Sequence, residues 1–495
     1  METPIMLRRD FLKLSATGAL MTTAPSLFAS HAKAQGSAPT IITAGRRVIE
    51  VNGKAANILG LTQPAGSHGL VMNAGETFRV RLENRVGEPT AIHWHGLTPP
   101  WQQDGVAGLS QEPIPDGGGY DYDFPVARPG TFWMHSHMGL QEQHLLAAPL
   151  IVLDPVEASK DVQEVVVLFH DFTFRDPAEI LAELKAGGHD MAATRKPPAA
   201  SAHEGHDMSG MTTGAAIDHG DMQMGGMSHL QGVQYDALLA NDRTLDDPEV
   251  FAVEPGGRVR LRLINGAAST NMWIDLGRLS GQLIAVDGMA VEPIGGSRFE
   301  FAVAQRLDIL LELPREATAW PVLAVQEGGR MRTGVVLAAK GSSVGKLAET
   351  ADADFPAVGA ELEQKLRAAK PLVERVARKH TMMLGEGSGY VWTLDGVVHG
   401  SDKPLAVRAG DRFELTFMNH TTMSHPMHLH GHHFQVVAVN GRRFAGAVRD
   451  TVLVPAYMGQ VTIAFDADNP GKWALHCHHL YHMVGGMMTS MAYEA

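Results

Sequence analysis

Residues 75–84 read GETFRVRLEN, residues 256–265 read GGRVRLRLIN, and residues 410–419 read GDRFELTFMN. Each follows G-x-x-φ-x-φ-x-φ-x-N, with φ apolar. That is a half-buried strand of period two, entered by a glycine turn and closed by asparagine. Three copies spread along one chain predict three β-domains of one kind. Composition agrees: 53 Gly and 27 Pro with few long helical patterns point to an all-β protein, and 495 residues at 44% hydrophobic can fill several cores. With 41 Lys and Arg against 54 Asp and Glu, the formal charge of −13 excludes a general nucleic-acid binder and suits small neutral or cationic partners.

A second pattern joins only the outer copies. PGTFWMHSH (129–137) and PGKWALHCH (470–478) align so that Ser136 falls where Cys477 does and the flanking histidines coincide. The counterpart in the middle, AWPVLAVQE (319–327), has no histidine, so the second domain reads as a spacer that keeps the fold and lacks the ligands. Residues 341–370 are polar with a short helical pattern and read as a linker. Residues 188–229 interrupt the second domain with a tract low in large apolar residues and rich in His, Met and Gly.

Histidines gather in HWHG (93–96), HSH (135–137), HPMHLHGHH (425–433) and HCH (476–478), with His482 and Met487 beyond. Residues two apart on a strand share a face, so each H-x-H pair aims two imidazoles the same way. His93, His95, His135, His137, His428, His430, His476 and His478 form four such pairs. Eight convergent imidazoles are too many for one ion and suit a cluster of about three coppers. On the HCH strand the single cysteine, Cys477, faces away from its histidines. Together with His425, His482 and Met487 it gives His₂Cys with a weak axial thioether, the ligand set of a blue-copper electron-transfer site. Its bonded neighbours are cluster ligands, so an electron arriving at the thiolate has a short covalent route onward.

At the N-terminus, LRRDFLKLSATGALMTTAPSLFASHAKA (7–34) carries Arg8 and Arg9, a modest apolar stretch, and Ala32 and Ala34 in cleavage-site spacing. It reads as a twin-arginine export signal over 1–34, which directs the protein to the periplasm. No later stretch is apolar enough for a membrane span.

Through all four metal motifs in order, the sequence resembles the multicopper oxidases over nearly the whole mature chain. HSHMGLQEQ and HCHHLYHMVGGM are most similar to the bacterial copper-resistance type, with laccases more distant. The resemblance implies three cupredoxin-like Greek-key β-barrel domains at 35–155, 156–340 and 371–495, and four copper ions. Type 1 copper would take His425, Cys477, His482 and axial Met487. Type 2 would take His93 and His428, and the type 3 pair His95, His135, His137, His430, His476 and His478, with His476 and His478 not divided between the two type 3 ions. Asp104, in WQQDGVAG, matches an acidic position that delivers protons near the cluster. Met483 stands where many bacterial members have Glu.

The resemblance further implies O₂ as acceptor, with Cu(I) as the leading substrate and phenols as side substrates, in a monomer. Met423 matches a substrate-copper thioether, although its acidic partner is replaced by Thr421. His203, His206, Met208, Met211, His219, Met222, Met224, Met227 and His229 form a copper-capture tract of soft ligands. Two alternatives are a laccase acting mainly on phenols and a copper-sequestering protein without turnover.

Overall fold

A computed structural model of the chain describes residues 38–157, 160–188 and 230–494. The tract 203–229 and the segment 1–34 lie outside the described residues. Six sheets are present among the described residues, two drawn from 40–153, two from 163–339 and two from 377–493. The three repeated motifs form the strands Thr77–Arg85, Arg258–Asn265 and Arg412–Asn419. Each has the same neighbours: it runs parallel to the strand that opens its sheet (Thr40–Val51, Gln163–Phe172, Ala377–Gly387) and antiparallel to a later one (Gly119–Pro125, Arg306–Glu312, Gln460–Asp466).

Their period-two alternation buries Phe78, Val80 and Leu82 in the first core, Val259, Leu261 and Leu263 in the second, and Phe413, Leu415 and Phe417 in the third. Each core lies between a pair of sheets, which removes one apolar face of each sheet from water.

The closing asparagine has the same task three times. Asn84, Asn265 and Asn419 are fully buried. Each accepts a backbone N–H from the residue two positions on (Val86, Ala267, Thr421) and donates through Nδ2 to carbonyls of the following loop or a neighbouring segment. An amide side chain that mimics a backbone turn pins the chain as it crosses to the second sheet. The strands reached are Ile92–His95, Met272–Asp275 and His425–Leu429. The outer two carry histidines, and the middle one reads MWID.

The aligned strands also occupy matching places. Gly130–Ser136 pairs with Ile92–His95, setting His93 opposite His135, and Lys472–Cys477 pairs with His425–Leu429, setting His428 opposite His476. Ala319–Gln326 is their counterpart in the middle pair of sheets. The polar stretch 341–370 contains a short helix, Glu361–Lys365. No helix among the described residues is long and apolar enough to cross a membrane.

Candidate metal centre

The eight histidines of the H-x-H pairs converge from the first and third pairs of sheets, and all are buried. Their facing nitrogens are close. His430 Nε2 lies 2.9 Å and His137 Nε2 3.3 Å from His476 Nε2. His478 Nε2 lies 3.4 Å from His135 Nε2, which is 3.4 Å from His95 Nδ1. His428 Nε2 lies 3.5 Å from His93 Nε2. Three groups have donor atoms within 4.8 Å of one another: His93, His95 and His428; His95, His135 and His478; His137, His430 and His476. His478 thus groups with His135 and His476 with His137, a division the sequence left open.

The opposite ring nitrogen of nearly every imidazole meets an oxygen. His93 Nδ1 donates to the Asp104 carbonyl (2.8 Å) and His430 Nδ1 to Asp104 Oδ2 (2.7 Å). His428 Nδ1 donates to the Asp450 carbonyl (2.8 Å) and His95 Nε2 to Asp450 Oδ1 (3.0 Å). His135 Nδ1 lies 3.1 Å from Glu142 Oε2, and His476 Nδ1 donates to the Cys477 carbonyl (3.0 Å). Acceptors on the outside fix the proton there, so the inward nitrogens present lone pairs.

Burial, reinforced by the neighbouring rings, holds His428, His430, His137 and His478 well below the ordinary histidine range, and His476 is pushed down to about 3. Neutral imidazoles whose lone pairs face one another need a cation between them, and the carboxyl oxygens of Asp104, Asp450 and Glu142 stand behind the rings. The residues present therefore fit a cluster of metal ions.

The second site lies on the other face of the same strand. Cys477 Sγ points into the third core, 3.6 Å from His425 Nδ1 and 3.8 Å from His482 Nδ1, and those two nitrogens are 3.1 Å apart. Burial pushes the thiol well up, so a bound cation would be needed to hold the thiolate. His425 is oriented by Thr421 Oγ1, 2.7 Å from Nε2. The hydroxyl that replaces the expected acid thus orients His425.

His482 stacks between Trp392 (centroids 3.8 Å apart) and His479 (3.6 Å, interplanar 3°). Met487 is buried in the same core, its N–H bonded to the His482 carbonyl and its carbonyl to the Cys477 N–H. Met423 is buried beside Thr421, and Met483 lines a cavity of about 460 Å³ that reaches His137.

Asp104 follows the turn Trp101–Gln103 and precedes Gly105, whose φ of +84° and 1.8 Å approach of an added Cβ to the Ile92 carbonyl admit no side chain. Asp104 is therefore both a turn residue and a partner of two ring histidines. Gly105→Ala is expected to cost more than about 2 kcal/mol in stability, readable as a lowered Tm in thermal unfolding. An unchanged Tm would contradict the close approach.

Sequence reasoning missed Glu142, Asp450, Thr451 and Arg306. Glu142 lies within HSHMGLQEQ, and Asp450 is an acid in the apolar run AVRDTVLV (447–454). A charged residue in such surroundings was the available signal, but its partner was not legible. Arg306, fully buried, comes from the middle pair of sheets and bonds Asp450. Among the described residues that region puts no side chain into the candidate metal groups, yet it reaches the residues behind them.

A thiol facing two imidazoles, one residue from an all-histidine cluster, is a donor set that fits a copper redox protein. Sequence profiles of multicopper oxidase domains match residues 45–157, 163–341 and 374–495. The multicopper oxidase MmcO of Mycobacterium tuberculosis is 32% identical over 431 residues, 85% of this chain and 80% of that one. Copper resistance protein A of Escherichia coli is 25% identical, with 92% of each covered. Among solved structures, a multi-copper oxidase from Pseudomonas thermotolerans shares the fold with TM-score 0.68 at 23% identity, covering 92% of this chain and 100% of that one. A laccase from Botrytis aclada does so with TM-score 0.70 at 20% identity, covering 92% and 88%. The chain belongs to the multicopper oxidase family, and it is an all-β oxidoreductase of cupredoxin-like architecture that uses copper, O₂ and a reducing substrate.

Proposed function

We propose that the chain is an exported, monomeric cuprous oxidase serving copper tolerance, which takes electrons from Cu(I) singly and delivers four of them to O₂ with formation of two waters. Its three pairs of sheets are the three domains. The first and third would hold four coppers: type 1 by His425, Cys477, His482 and Met487, type 2 by His93 and His428, and the type 3 pair by His95, His135 and His478 and by His137, His430 and His476. Copper, when bound, supplies one-electron redox chemistry at a potential tuned by its ligands and their hydrogen bonds.

The protein's part is orientation, exclusion of water and proton handling. Thr421 aims His425, and the Trp392–His482–His479 stack keeps water from the thiol. Glu142 steadies His135 and stands 3.7 Å from His478 Nδ1. Asp104 orients His93 and His430 and is the group that holds and releases a proton at its carboxylate, since water formation consumes protons. Met483 carries none.

The observation that carries the reading is the position of Cys477, which is bonded on both sides to cluster histidines while its sulfur faces His425 and His482. Cu(I) is favoured over bulky phenols because His482 is fully buried and stacked on Trp392 and His479, which denies a large aromatic direct contact, and because Met423, a residue with a soft donor, is bonded through its N–H to the Thr421 hydroxyl that meets His425. The Met- and His-rich tract 203–229 would gather the ion, and the N-terminal twin-arginine segment would export the protein to the periplasm.

The test is O₂ uptake by the copper-loaded protein with Cu(I) or a bulky phenol as sole reductant, with and without residues 203–229. Fast Cu(I) turnover whose apparent KM rises on deletion is expected. Fast phenol and slow Cu(I) turnover would make the protein a laccase, and uptake with neither would make it a copper binder.

A further inference from the structure

The middle pair of sheets contributes no imidazole to the cluster, yet it places one guanidinium against the cluster's outer shell. Arg306 opens the strand Arg306–Glu312 and is fully buried. Its Nη1 donates to Asp450 Oδ1 (2.7 Å) and its Nη2 to Asp450 Oδ2, a bidentate fork. The guanidinium is itself fixed in plane: Nε donates to the Thr131 carbonyl of the first pair of sheets (3.1 Å) and Nη1 also to the Ala304 carbonyl (3.0 Å). Asp287 Oδ1, 3.7 Å from Nη1, balances the charge on the far side. One side chain therefore ties all three pairs of sheets together.

What it holds is the segment that aims two ring histidines. Asp450 Oδ1 accepts from His95 Nε2 (3.0 Å), the Asp450 carbonyl accepts from His428 Nδ1 (2.8 Å), and Thr451 Oγ1 lies 3.2 Å from each of these nitrogens. The glycine of HWHG fits the same arrangement. At Gly96 a Cβ would lie 2.5 Å from Arg306 Nη2 and 3.0 Å from Asp450 Oδ2, and φ is +91°. The first domain's ligand strand thus turns directly over the Arg306–Asp450 pair. Without the fork, the Asp450 carboxyl would be held only through Thr451 Oγ1 (2.9 Å from Oδ1), and His95 Nε2 would keep Thr451 alone as a fixed partner, so the aim of its Nδ1 lone pair at the cluster would loosen.

We propose that Arg306 is a positioning residue for the trinuclear cluster, acting through Asp450 on His95 and His428, so that the ligand-free domain sets the geometry of the metal site between the other two. The inference rests on the ligand assignment proposed above.

The test compares wild type with Arg306→Lys, Arg306→Met and the control Arg262→Met, all as copper-loaded full chains. Arg262 is an equally buried arginine of the same sheets that bonds Thr131, Glu164 and Asp308 but not Asp450. Copper per chain, the thiolate-to-copper band, the type 2 electron paramagnetic resonance signal, and kcat and KM with Cu(I) are measured.

Because outer-shell partners of metal ligands contribute about 10- to 100-fold to affinity or activity, both Arg306 variants are expected to lose cluster copper and kcat by that factor with an altered type 2 signal. The thiolate band and KM should stay at wild-type values. Lysine keeps the charge but not the fork, so it should not rescue. Wild-type cluster signals in Arg306→Lys would overturn the inference. So would loss of the thiolate band in parallel with the cluster signals, or the same cluster-selective loss in Arg262→Met. A wild-type protein holding only one copper would overturn the ligand assignment itself.

Discussion

Replacing Cys477 with serine is expected to bring O₂ reduction with any reductant down by at least about 10³-fold, equivalent to about 4 kcal/mol of barrier. The same change should abolish the thiolate-to-copper absorption band. The sulfur faces His425 Nδ1 and His482 Nδ1, and its residue is bonded to His476 and His478, so under the proposed assignment it would be a ligand at one site and the covalent link to the other. Serine nearly matches cysteine in volume, so the third core should still close, at a cost of about 1–3 kcal/mol for burying a hydroxyl among apolar groups. Copper analysis of the variant should show one ion fewer per chain, with the type 2 signal unchanged. Turnover at the wild-type rate would mean that electrons enter the cluster by another path.

The metal-free protein is expected to lose stability steeply as pH falls from about 6.5. Burial holds His425, His433 and His476 down at about 3 and His68 at about 4. In the unfolded chain each would titrate near 6.5, so between these values the unfolded state binds more protons. Their contribution is complete above about 6.5 and is lost on acidification by about 1.4 kcal/mol per pH unit for each histidine.

Buried carboxyls act in the opposite sense. Glu327, pushed up to about 7 by burial, loses stability as pH rises from its unfolded value through 7, and Glu142 behaves likewise. Lowered histidines outnumber raised carboxyls around the cluster, so the net slope is downward in acid. A domain stability of about 5–15 kcal/mol would be exhausted within a few pH units. Copper-loaded protein, with ring nitrogens engaged by metal, should unfold at lower pH. Denaturant midpoints from pH 7 to 4 for both forms provide the measurement, and midpoints independent of pH in the metal-free form would contradict a cage of neutral imidazoles.

Much of the candidate site was legible because the donor residues are locally patterned. His93 and His95, or His476 and His478, are two apart on strands, and the pleat alone sends them to one face and Cys477 to the other. Asp104 was legible as an acid eleven residues from His93, whereas its contact with His430, 326 positions away, was not. The grouping of His478 with His135 and of His476 with His137 was not legible, since it depends on how two separately folded strands are set face to face.

The sequence by itself determined the strand period, the threefold repeat and the residue types of both candidate metal sites, because each is a pattern of residues close along the chain. Only the tertiary structure decided what stands behind the ligands. Asp450 meets His95 across 355 positions and Arg306 meets Asp450 across 144. No backbone periodicity relates residues so far apart; their contact follows from packing three pairs of sheets against one another, and the cost of leaving a buried charge unpaired then selects the partner.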